Sequence, residues 1–95
     1  MSKELKPRWN EMYRKKGVEV GVDKDEFIVA VNEEKAYALA PIVYYIWSHC
    51  DGETSIGHIV EDIMSNVEGL DIDTVYNAVI DIVDRLVEAE LLEKV

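Results

Sequence analysis

Hydrophobic positions fall into short runs with two different periods. Val18, Val20 and Val22 alternate with other residues, and Phe27 to Val31 is a β-rich run. In Ala36 to Ala40, Tyr37 and Leu39 share one face and small alanines take the other. The polar stretches "DKDE" and "NEEK" separate these runs, so residues 18–40 predict a three-stranded antiparallel meander. From Pro41 the period becomes helical, through Ile42, Val43, Ile46, Trp47 and Cys50. Proline suits the first helical position, where a missing N–H leaves no bond unmade. Asp51-Gly52 stops this helix, because glycine accepts the left-handed C-terminal conformation. Thr54 or Ser55 then caps a second helix with the stripe Ile56, Ile59, Val60, Ile63 and Met64.

After the loop "EGLD", Asp71 or Asp73 caps a long third helix. Its apolar residues form two lines, Val75-Val79-Ile82-Leu86 and Tyr76-Ile80-Val83-Val87. One line serves a core, which leaves the second to floor a groove or support the sheet. The tail "ELLEKV" either finishes the helix or adds a short edge strand. Ahead of the meander, Pro7, Trp9, Met12 and Tyr13 predict a short helix ended by Gly17. The order is β-β-β-α-α-α, with helix-turn-helix spacing in the last three elements. It predicts an α+β fold, a small winged helix-turn-helix-like domain over residues 17–95 behind an N-terminal arm, residues 1–16.

The chain has 95 residues, 48% of them apolar and 32% charged, enough for one globular core. No apolar run approaches the roughly 20 residues a membrane span needs. The N-terminal stretch lacks the apolar core of a signal peptide, so a cytoplasmic location is expected. The single cysteine, Cys50, cannot form an intrachain disulfide. Charge adds more. Residues 1–16 hold six Lys/Arg against Glu4 and Glu11, a net of +4, which leaves −14 of the total −10 on residues 17–95. Nucleic-acid binding needs a basic footprint, and the body has none. A basic or neutral peptide or protein fits its field better.

Candidate chemistry concentrates in "IWSHCDGETSIGHIVEDI", Ile46 to Ile63. His49, Cys50 and His58 are the only His and Cys residues, and a structural zinc site uses four ligands in paired spacings. Adjacent His49 and Cys50 point in different directions on a helix, so neither a metal site nor a Cys-His nucleophile is expected. There is no phosphate-binding glycine loop and no G-x-S-x-G motif. The chain reads as a non-enzyme with no cofactor, and "CDGETS" reads as a corner between two helices.

The stretch "KAYALAPIVYYIWSHCDGETSIGHIVEDI" resembles the pyrroloquinoline quinone biosynthesis protein D (PqqD) family. The matching features are Tyr37-Ala38-Leu39, Trp47, Asp51-Gly52 and Ser55-Ile56 through Ile59, with a weaker continuation in "VIDIVDRLVEAELL". The resemblance covers roughly residues 17 to 93. Ala40 stands where that family often has Asn, and Glu90 where it has Gly. The resemblance implies a peptide-recognition domain that binds the leader of a ribosomally made precursor peptide and presents it to a modifying enzyme, often a radical SAM protein. It implies strand addition beside Lys35, Ala36, Tyr37, Ala38 and Leu39, in a groove against the third helix. On that helix Tyr76, Ile80, Val83 and Val87 are expected to floor the groove, and Asp84, with Asp81, to border it. Expected partners are therefore a leader peptide and a peptide-modifying enzyme, with no nucleic acid, no membrane, and a monomer or weak homodimer. Two other readings compete. A winged-helix DNA-binding regulator would place Arg85, the third helix's one basic residue, among five acidic ones. A structural adaptor or dimer would pair its exposed edge strand with a second copy.

Overall fold

A computed structural model describes residues 6–95. Among these residues the fold is α+β, with six strands and three helices. Strands β1 (Met12–Lys15), β2 (Val18–Asp23), β3 (Glu26–Ala30) and β4 (Ala36–Leu39) precede helix α1 (Pro41–His49). Strand β5 (Asp51–Ser55), helices α2 (Ile56–Asn66) and α3 (Ile72–Glu88), and strand β6 (Leu92–Lys94) complete the chain. The strands form two antiparallel three-stranded sheets, β5-β1-β6 and β2-β3-β4.

The meander β2-β3-β4 falls where the alternation predicts it. The other sheet departs from the sequence reading in two places and settles a third point left open. The N-terminal arm does not form the expected helix. Residues 7–10 make two tight turns, closed by Trp9 N–H to Lys6 C=O (3.0 Å) and Glu11 N–H to Arg8 C=O (3.1 Å). Its end becomes β1, the centre of the sheet. The segment "DGETS" is strand β5, so α1 and α2 do not meet through a simple corner. The tail takes the strand alternative as β6. An amphipathic arm from Pro7 to Lys16 is too short to be stable as an isolated helix. As strand β1 its end satisfies the backbone on both sides and buries Tyr13.

One core joins the layers. Val29 and Leu39 from the meander meet Ile46, Trp47 and Cys50 from α1, Ile56, Ile59 and Val60 from α2, and Val75, Val79, Val83 and Leu86 from α3. Ser55 caps α2 by accepting from the His58 N–H (3.1 Å). Asp71 caps α3 by accepting from the Thr74 N–H (3.2 Å). Gly17 links β1 to β2 at φ 94°, where an added Cβ would lie 2.8 Å from the Ala30 carbonyl oxygen.

Candidate functional site

Strand β4 is an edge: it pairs with β3 and, among the described residues, has no neighbour on its other side. The phase of the ladder decides which of its groups are free. The Val31 N–H donates to the Lys35 C=O (2.9 Å), which turns Lys35 toward β3. By antiparallel alternation Tyr37 and Leu39 turn the same way, and Ala36 and Ala38 direct their N–H and C=O groups outward. Both alanines are exposed, so no large side chain shields this edge.

A groove of about 440 Å³ opens beside that edge, between β4 and the C-terminal half of α3. Leu39, Val43, Leu86 and Leu91 make its apolar base, and Ile82 and Ala89 its helical wall. Asp81 and Arg85 stand on the helix beside it as an exposed i,i+4 ion pair, 3.1 Å apart. The base is held rigidly. After α3 the Leu91 N–H returns to the Leu86 C=O (2.8 Å) and the Glu90 N–H to the Val87 C=O (3.0 Å), with Glu90 left-handed at φ 65°. This is the paired-bond C-cap that normally recruits glycine, and the buried pair Leu86 and Leu91 supplies its apolar contact. The Trp47 indole N–H is shared between the Leu91 C=O (2.9 Å) and the Lys16 C=O (3.2 Å), tying α1 to both ends of the chain.

The opposite side of α3 is occupied by the N-terminal segment. Trp9 stacks on Tyr76 with centroids 6.2 Å apart, and the Arg8 N–H donates to the Tyr76 hydroxyl (3.2 Å). The Arg8 guanidinium grips both carboxylate oxygens of Asp84, at 2.8 and 3.0 Å. It also bonds Glu11 (2.9 Å) and the Tyr13 hydroxyl (2.7 Å). Asp84 and Glu11 raise the Arg8 pKa above its ordinary value. Burial pushes the Glu11 carboxyl up, but hydrogen bonds from Arg8 and Tyr13 outweigh it and hold the group below the usual carboxylate value. Burial and the bond to Glu11 raise the Tyr13 hydroxyl. Lys6 pairs with Asp73 and lies over the Tyr76 ring, 5.3 Å from its centroid.

The β4 residues Tyr37, Ala38 and Leu39 line the groove, and Lys35 and Ala36 continue the same edge. The expected helix residues sit elsewhere. Tyr76 and Val83 are buried, Asp84 is bound to Arg8, and neither Ile80 nor Val87 lines the groove. The groove instead takes Ile82 and Leu86 from the first apolar line, with Asp81, Arg85 and Ala89. Lys6, Arg8 and Trp9 cover Tyr76 and Asp84, and the groove lies on another face of the helix. The +4 charge of residues 1–16 against the acidic third helix was the signal for that docking.

In the stretch Ile46 to Ile63, His49 Nε2 lies 3.8 Å from Asp62, whose carboxylate also accepts from the Tyr45 hydroxyl, and Cys50 stands apart from them in the core. Cys50 is buried, its Sγ–H donates to the Ile46 C=O (3.2 Å), and burial pushes the thiol pKa up to about 12. His49 Nδ1 lies 2.8 Å from the Tyr45 C=O and His58 is exposed. Among the described residues no group of three or more His, Cys, Asp or Glu could hold a metal ion, and no helix is long and apolar enough to cross a membrane.

A family model described as coenzyme PQQ synthesis protein D (PqqD) matches residues 28–92, most of the chain. The chain belongs to the PqqD family. No curated protein and no solved structure matches it. The region matched to PqqD runs from within β3 to the first residue of β6. It contains every residue of the groove, whereas β1 and the arm that covers Tyr76 and Asp84 lie outside it.

Proposed function

We propose that this PqqD-family chain is a non-catalytic peptide-recognition domain that binds the leader of a ribosomally made precursor peptide and presents it to a modifying enzyme of the radical SAM type. The observation that carries this reading is the unpaired edge of β4 lying beside an apolar groove. A leader adding as a strand bonds the outward N–H and C=O groups of Ala36 and Ala38, which reads no sequence. Alternate leader side chains then enter the groove over Leu39, Val43, Leu86 and Leu91, and these set specificity. Asp81 and Arg85 face the leader with both charge signs, and the acidic body favours a leader with basic residues. The product of the pathway is pyrroloquinoline quinone or another peptide-derived compound. The fold serves either, since the site and not the fold sets the ligand.

Ala38→Pro tests the mode directly. Its N–H faces away from β3, so proline deletes the outward donor and leaves the β3-β4 ladder intact, as edge positions tolerate. Fluorescence anisotropy with labelled synthetic leader peptides, including any encoded by a short open reading frame near the gene, reads the result. The wild-type chain is expected to bind, and Ala38→Pro to bind at least tenfold more weakly at unchanged fold. Equal affinity for the two proteins contradicts strand addition at β4.

A further inference from the structure

The apolar surface does not stop at Ile82. On the α1 side of that residue lies a second cleft, of about 210 Å³, formed by Ile42, Ile63, Leu70, Ala78 and Ile82 with the core behind them. The surface it presents is apolar throughout, and Ile42 and Leu70 are 49% and 40% exposed. Large aliphatic side chains left this open around a concave site mark a place for an apolar group.

The cleft and the groove belong to one channel. Thr74, Ala78, Ile82, Arg85 and Ala89 recur at helical spacing along a single line of α3. The first three border the second cleft and the last three border the groove, with Ile82 shared. On the other wall Val43 faces the groove and its neighbour Ile42 the cleft, just past the Leu39 end of β4. From Arg85 to Ala78 is seven residues, about 10 Å at 1.5 Å per helical residue. An extended chain covers that in about three residues.

We infer that a peptide added to β4 places one large aliphatic or aromatic side chain in this second cleft, three or four positions beyond its paired segment on the Leu39 side. In antiparallel addition that residue lies N-terminal to the paired segment, and in parallel addition C-terminal to it. The inference rests on the proposed leader binding and deepens it. The groove reads side chains within the paired strand, and the cleft adds an apolar anchor outside it. The occupant is the same peptide because the two sites share a wall and lie within reach of one extended segment.

The test uses the full chain with labelled Ile, Leu and Val methyl groups, the synthetic leader, and leaders with each flanking apolar residue changed to Ser. Ala78→Glu puts a charge into the cleft at an exposed helix position without disturbing the core. Ile42→Ser, on the other wall, guards against a helix-specific artefact. At saturating leader the methyls of Ile42, Ile63 and Val79 should shift in the wild-type chain. Each variant should bind at least tenfold more weakly, yet still show shifted amides at Ala36 and Ala38. One Ser-substituted leader should be weak on the wild-type chain and no weaker on Ala78→Glu. Unmoved cleft methyls, or unchanged affinity of both variants, together with shifted Ala36 and Ala38 amides, overturns the second site and leaves leader binding standing. Cleft methyls that respond to protein dilution and not to leader assign the cleft to a second copy and overturn the inference. Absence of shifts at Ala36 and Ala38 removes the leader reading and this inference together.

Discussion

Glu90 holds a left-handed backbone conformation at φ 65° so that Leu91 can turn back under α3 and floor the groove. A residue with a Cβ bears a cost of about 1–2 kcal/mol there, which glycine avoids. Glu90→Gly should therefore raise stability by up to about 1 kcal/mol, part of the gain being offset by glycine's greater freedom in the unfolded chain. Thermal unfolding should show a midpoint a few degrees higher. A lower midpoint means that the Glu90 side chain contributes more than its backbone costs. Cys50 makes a second residue-scale case. Burial lifts its thiol to about 12, so at pH 8 it carries almost no thiolate and no route for reagent. An aromatic disulfide reagent should leave the native protein unlabelled and react rapidly in strong urea. Rapid native labelling contradicts the buried placement. At this scale the sequence was informative for residues with one local job. Short-range chemistry narrows the caps to Thr54 or Ser55 and Asp71 or Asp73, of which Ser55 and Asp71 cap, and it also gives Trp47 and Cys50 as core and Pro41 as a helix start.

Elements were legible where their apolar residues keep a clear period. Helices α2 and α3, with long amphipathic stripes, stand where the 3.6 period puts them. Strands β1, β5 and β6 span five residues or fewer, and only Tyr13 is buried in β1 and only Leu92 in β6. Such pieces carry no alternation to read, and pairing far along the chain decides them. The second apolar line of α3 shows the same limit. Its exposure depended on whether residues 6–11 docked, which a helical wheel does not contain. That docking has a consequence for the element itself. Among the described residues β5 and β6 pair only with β1, so the arm is the keystone of their sheet. Deleting residues 1–16 removes both ladders, buried Tyr13 and the Arg8–Asp84 clamp. The loss should be at least about 3 kcal/mol, the scale of one buried aromatic alone. Urea unfolding of the shortened chain measures it, and a midpoint near that of the full chain contradicts the structural role of β1.

The whole molecule is acidic, net −10, and within its N-terminal segment Lys6 and Arg8 pair with acidic residues of α3. Arg8 and Lys6 are bound to Asp84 and Asp73, and residues 17–95 carry a net −14, so the body offers phosphate no basic footprint. Duplex DNA should produce no salt-dependent retardation at physiological ionic strength, and a steep salt-dependent complex would favour the regulator reading. The central claim concerns which surface receives a peptide, and an amide-resolved NMR titration with the synthetic leader tests it most directly. Strand addition at β4 predicts the largest shifts at Ala36 and Ala38, with Ile82, Arg85 and Ala89 moving along the groove. Shifts gathered instead on Tyr76, Asp84 and the segment from Lys6 to Glu11, or no shifts at a large excess of leader, contradict it.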